Sequence, residues 1–119
     1  MGYRARCAAT EGIKENFVMT IEPGYYEDGA FGCRFENAYA VVATETEHSF
    51  PNARFLRFQP LTLVPLQTRL LDPTLLTPEQ IGWLNDYHEQ CLSEVGPLLE
   101  KQGKMEAYTW LQKNTRPLG

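Results

Sequence analysis

The stretch TIEPGYYEDGAFGCRFEN, Thr20 to Asn37, constrains the fold more than any other part of the chain. Asp28-Gly29-Ala30 stands at its centre, and Asp-Gly marks a tight turn because glycine takes a positive φ without strain. Runs of β character lie on both sides. In NFVMTIE, Phe17, Met19 and Ile21 alternate with Val18, Thr20 and Glu22, the period of a strand. FGCRFENAYAVVATET resumes the pattern, with Arg34 and Glu36 on one face and Cys33 and Phe35 on the other. These runs predict a hairpin that turns at Asp28-Gly29-Ala30. PGYYEDGA reads as turn residues in bulk, and Pro23-Gly24 predicts a bulge that leaves the register open. Such a hairpin brings Glu22 near Glu36. Carboxylates on neighbouring strands repel one another unless something positive sits between them. Spacing alone leaves three readings: two solvated side chains at an edge, an acid pair sharing a proton, or ligands for a hard cation. Arg34 also has a plain use as a salt-bridge partner.

The pattern changes near Pro60. EHSFPNAR predicts a polar loop, and Pro60, Pro65 and Pro73 cut the following stretch into short extended pieces. Thr77-Pro78-Glu79-Gln80 then carries the capping-box pattern with proline at the first helical position. Ile81, Leu84, His88, Cys91, Leu92, Val95 and Leu99 recur at helical spacing. Gly96-Pro97 predicts a bend or a split in this helix, and Gly103 its end. A last short helix, KMEAYTWLQKN, is expected to bury Met105, Tyr108 and Leu111, with Trp110 at its edge. Strands first and helices last, with little room for βαβ units, predict an α+β fold. The β part, three to five strands, lacks partners for all of its edges.

Composition narrows the function classes. The chain has 119 residues, 43% of them hydrophobic, enough for a modest core, and a formal charge of −4. It contains no cluster of five Lys or Arg, so no nucleic-acid partner is expected. No run of eighteen apolar residues exists, so no membrane span is expected. MGYRARCAATEG has no apolar core behind its arginines, which argues against a secretory signal. Arg6 stands where a myristoylation site wants Ser or Thr. Cys7, Cys33 and Cys91 are widely spaced, with no CxxC pair. They read as small, wholly or partly buried hydrophobes in a reducing compartment rather than as a zinc site or a disulfide framework. His48, in the acidic run TETEHSF, reads as a surface residue. His88, on the inner helical stripe, reads as a satisfied, partly buried side chain.

The string E-P-G-Y-Y-E-D-G-A-F-G-C-R-F-E-N, Glu22 to Asn37, resembles the C-terminal metal-binding hairpin of the Xaa-Pro aminopeptidases (aminopeptidase P), in the M24 group of pita-bread metallopeptidases. FQPLTLVPLQTRLLDPTLLTPEQIGWLNDYHEQCLSEVGPLLEKQGKMEAYTWLQKNTRPL is similar to the C-terminal extension of the larger enzymes of that family. The resemblance implies that residues 1–53 are the C-terminal β portion of the catalytic domain and 54–119 a mainly helical extension. It implies that Glu22 binds one ion of a dinuclear centre, usually manganese with zinc as a second choice, and handles a proton of the attacking water. It implies that Glu36 bridges both ions and that Arg34 orients the acidic ligands from behind. The implied reaction removes an N-terminal residue that precedes proline, by two-metal hydrolysis in a cytoplasmic enzyme that is commonly a homodimer.

This sequence departs from that pattern upstream. The family site has five protein ligands, and two aspartates and a histidine precede the hairpin. MGYRARCAATEGIKENFVM contains neither Asp nor His. The chain by itself is therefore expected to bind metal weakly and to be inactive. The competing reading is a non-catalytic assembly module, whose helical aromatics Trp83, Tyr87, Tyr108 and Trp110 pack on a catalytic domain or a second subunit.

Overall fold

Antiparallel pairing dominates the first half of the chain, helices the second. The computed structural model describes residues 12–119, so Cys7 and the readings against a leader or a lipidation site in the first residues lie outside the description. The described residues form five strands and two α-helices, an α+β fold. They divide into two compact units between Thr62 and Leu63.

The first unit is built on the hairpin. β1 (Val18–Ile21) pairs with β4 (Asn37–Thr44), and β2 (Gly24–Glu27) pairs with β3 (Phe31–Arg34). Gly24–Glu27 is thus a strand, not the turn that Pro23-Gly24 suggested. Its tyrosines suit a pleated surface, and the turn shrinks to Asp28-Gly29-Ala30. The Ala30 amide donates to the Glu27 carbonyl across 3.0 Å, and Gly29 takes φ +73°. A positive φ at that position of the turn calls for glycine. Ile21 pairs with Asn37 below the break and Gly24 with Arg34 above it. The offset is the same on both sides, so Pro23 introduces no register shift and no net bulge. β5 (Phe55–Pro60) completes a three-stranded sheet in the order β1-β4-β5, after the loop foreseen over EHSFPNAR. Val41 is buried, whereas Phe17, Val18, Ile21, Tyr25, Phe31 and Phe58 are exposed on this unit.

The second unit is a helical pair with an extended lead-in. Leu63–Leu76 runs irregularly through two single 3₁₀ turns, Thr68–Leu70 and Pro73–Leu75, as the prolines dictate. α1 (Pro78–Lys101) opens on the full capping box: the Gln80 amide donates to the Thr77 hydroxyl, and the Thr77 amide to the Gln80 side chain. Pro97 does not split it. Leu92, Val95 and Leu99 pack against one cluster from both sides of the proline, and that packing outweighs one lost hydrogen bond. Gly96 is buried because a Cβ there would stand 3.1 Å from the Tyr108 ring of the next helix. At the C-terminus Gly103, at φ +66°, donates to the Glu100 carbonyl, and Lys104 to that of Leu99. This is a Schellman ending.

α2 (Met105–Asn114) returns along α1 and buries Leu111 against Tyr87 and Cys91, with Leu63 and Leu66 packed on them. Met105 is 51% exposed, against expectation: it starts the first turn of α2, and the inward stripe begins at Tyr108. Tyr87 belongs to the core that periodicity assigned to its neighbours. Its hydroxyl donates to the Val64 carbonyl at 2.9 Å, so the ring is buried and its polar tip satisfied.

Candidate metal centre

The unbroken offset of the hairpin sets Glu22 opposite Glu36 and Pro23 opposite Phe35. Both glutamates stand at the break between the two ladders, which the Phe35 amide spans by donating to the Pro23 carbonyl at 3.1 Å. In a pleated strand alternate residues share a face. Thr20, Glu22 and Tyr26 therefore share one face with Arg34 and Glu36, and the contacts agree. The Thr20 hydroxyl donates to Glu22 Oε1 at 2.7 Å. Arg34 Nη1 donates to Glu22 Oε2 as an ion pair. Arg34 Nε donates to the Tyr26 hydroxyl at 2.7 Å, and the guanidinium carbon stands 5.7 Å from the centre of the Tyr26 ring.

The sequence singled out Glu22, Glu36 and Arg34, and the fold brings all three to one end of the hairpin face. It passed over Tyr26. The ring of Tyr26 lies across two glycines: a Cβ on Gly32 would stand 2.6 Å from its Cδ1, and one on Gly24 2.8 Å from its hydroxyl. The available signal was Gly24 two residues before Tyr26 and Gly32 directly opposite it in the register. Tyr26 is also the first cause of the raised Arg34 pKa; the charges of Glu22 and Glu36 add to it.

Facing carboxylates are hard oxygen donors of the kind that hold divalent cations. Two are too few for a closed coordination sphere, and no group of three ligating side chains occurs among the described residues. Glu22 and Glu36 thus fit part of a metal site. His48 is exposed, in the loop before β5, and belongs to no such group. His88 is buried in the second unit, and both its ring nitrogens lack a hydrogen-bond partner among the described residues. This corrects the expectation of a satisfied, partly buried ring: the side chain is fully buried, and the Leu66 backbone that favours its charged form makes no full hydrogen bond to either nitrogen. Cys33 is half-buried and Cys91 buried, neither in a disulfide.

Residues 54–118 match the family described as the C-terminal region of peptidase_M24. The chain belongs to the M24 peptidase family. Among its relatives, Protein pid-5 of Caenorhabditis elegans is 44% identical over 89% of this chain and 10% of its own length. Aminopeptidase P1 of Lotus japonicus is 42% identical over 90% of this chain and 16% of its own. Among solved structures, the X-prolyl aminopeptidase of Caenorhabditis elegans superposes with a TM-score of 0.82 at 42% identity, over 89% of this chain and 17% of that one. That protein is described as a cytosolic enzyme with a di-nuclear active site. The chain thus corresponds to a C-terminal portion of the aminopeptidase P fold and spans less than a fifth of the length of these relatives. Among the described residues no helix is long and apolar enough to cross a membrane.

Proposed function

We propose that this chain is the C-terminal portion of a metal-dependent Xaa-Pro aminopeptidase, an enzyme that hydrolyses the bond between an N-terminal residue and a following proline. The observation that carries the reading is Glu22 opposite Glu36 on a hairpin face in a member of this family. Glu22 and Glu36 would hold two ions, manganese by preference, with Glu36 shared between them. When bound, such ions would acidify a water and polarise a carbonyl. In the same reading a carboxylate oxygen of Glu22 takes a proton from the attacking water. Residues 1–53 belong to the catalytic domain and 54–119 to its extension. The remaining ligands come from polypeptide that precedes the hairpin in the larger relatives, so the 119 residues alone bind metal weakly and do not turn over. A cytoplasmic setting is supported by the cytosolic relative.

The test is the release of arginine from an Arg-Pro-Pro peptide by the purified chain with manganese present. No release is expected. Proline-specific release would overturn the inactive reading and require a complete ligand set. The second reading, an assembly or dimerisation module, keeps Trp83 and Trp110, both more than half exposed on the helical unit, but loses Tyr87, which is buried in its core, and Tyr108, which is half-buried. Sedimentation equilibrium of the chain separates the two: a concentration-dependent dimer favours the module.

A further inference from the structure

Asp28-Gly29 makes the hairpin turn, and the turn leaves its reactive groups unprotected. The chain has aspartates at positions 28, 72 and 86, and only Asp28 precedes a glycine. Asp72 precedes Pro73, which has no N–H, and its carboxylate accepts from the amide and the hydroxyl of Thr74. Asp86 precedes Tyr87 inside α1, where the helical ladder holds the next amide. The hairpin tip imposes no such restraint. Asp28 and Gly29 are exposed, and neither the Asp28 carboxylate nor the Gly29 amide makes a hydrogen bond among the described residues. The turn is closed by Ala30, whose amide donates to the Glu27 carbonyl at 3.0 Å. A Cβ on Gly29 would meet no atom within 4 Å, so the peptide between the two residues has open space around it.

An aspartate side chain and the next amide nitrogen are close enough to react within one chain. The Gly29 nitrogen gives up its proton and attacks Cγ of Asp28. One carboxyl oxygen leaves as water, and a five-membered succinimide ring joins the two residues. Water then opens the ring. Attack at Cγ restores aspartate. Attack at the main-chain carbonyl breaks its bond to the Gly29 nitrogen, so the chain runs through the Asp28 side chain and the α-carboxylate is set free. One water leaves and one returns, nothing is oxidised or reduced, and the mass is unchanged.

We propose that Asp28-Gly29 is a site of spontaneous isoaspartate formation, and that the altered tip is a substrate for a carboxyl methyltransferase that uses a methyl sulfonium donor. The enzyme esterifies the freed α-carboxylate of residue 28. Isoaspartate inserts one more carbon into the main chain of a turn that closes on a single hydrogen bond. The rung next to it, Glu27 opposite Phe31, loosens, and with it the contact of Phe31 with Tyr25, whose ring centres lie 6.0 Å apart. The inference is independent of any role of Glu22 and Glu36.

The 119-residue chain is aged at neutral pH and physiological temperature, with the amide signals of β4 reporting that the first unit stays folded. Trypsin then releases Glu15–Arg34, which contains no other Lys or Arg. This peptide is expected to split with time into two chromatographic peaks of equal mass, with isoaspartate at position 28 in one of them. Methyl transfer from labelled S-adenosylmethionine by an isoaspartyl methyltransferase is expected to rise in step. Both signals should be lost in Asp28→Glu, which keeps the charge but would need a six-membered ring. A single unsplit peak from the folded chain, while a synthetic Tyr25–Cys33 peptide aged beside it converts, overturns the proposal, because the turn then protects the bond. Splitting that persists in Asp28→Glu places the change at another residue and overturns it as well. Splitting without methyl acceptance overturns the assigned partner.

Discussion

Glu22 and Glu36 face one another across the break in the hairpin, yet Glu22 alone is ion-paired to Arg34 among the described residues. The pair is therefore unequal, and the two substitutions should differ. Glu36→Gln removes a negative charge that faces Glu22 and should raise the thermal midpoint of the metal-free chain slightly, an effect that salt reduces. Glu22→Gln removes the same repulsion but also the partner of Arg34, and should leave the midpoint flat or lower it. Thermal unfolding of both variants at low and high salt reads the difference. Equal shifts would mean that Arg34 favours neither carboxylate in solution.

Gly32→Ala should act on Arg34 without touching it. A methyl group 2.6 Å from Tyr26 Cδ1 forces the ring off the hairpin face, since the backbone there is held by the pairing of β2 with β3. The ring is exposed and can move, so the stability loss should stay below about 1 kcal/mol. The Nε–H signal of Arg34, protected by its bond to Tyr26, should lose that protection. In a Tyr26→Ala background Gly32→Ala should have no further effect on that signal, because the residue through which it acts is gone.

Thr77→Ala should lower stability by about 1 kcal/mol through the loss of one half of the capping box. Urea denaturation monitored on the helical unit measures it. Faster hydrogen exchange at the Gln80 amide, which donates to the Thr77 hydroxyl, would assign the loss to the cap. A similar local loss is expected at the other end of the unit. The Asn85 side chain donates to the Leu118 carbonyl at 3.0 Å and accepts from its amide at 2.8 Å. Asn85→Ala should release that amide to exchange.

Which of these features could be read in the sequence follows from the range of the forces involved. The capping box and the turn at Gly29 are local: a few adjacent residues fix their own backbone, and both stand where the sequence put them. The meeting of Glu22 with Glu36 was legible because a hairpin centred on Gly29 allows it, although Pro23 hid the register. Tyr26 was not legible as an anchor for Arg34. Its role depends on two glycines that become neighbours only once β2 pairs with β3. Pro97 left open a split that does not occur, for the converse reason. Its local preference breaks helices, but contacts from Leu92, Val95 and Leu99 hold α1 through it.

His88 should make the helical unit sensitive to mild acid. The ring is 1% exposed, with neither nitrogen hydrogen-bonded among the described residues. Burial is the main cause that pushes its pKa below the ordinary 6.5, and the Leu66 backbone opposes this in part. Tyr87 is the titratable group whose ring meets it on its own helix, and no carboxylate, lysine or arginine contributes to its shift. A histidine with a depressed folded pKa favours the neutral form in the native state. Above 6.5 both states are neutral and the folded unit keeps its full stability. As pH falls below 6.5 the unfolded chain takes up a proton that the folded one refuses, so stability declines until the folded pKa is reached. Urea midpoints of the helical unit at pH 7, 6 and 5 should therefore fall in that order. His88→Leu should flatten the decline. A decline that persists unchanged in His88→Leu would assign the acid sensitivity to other groups.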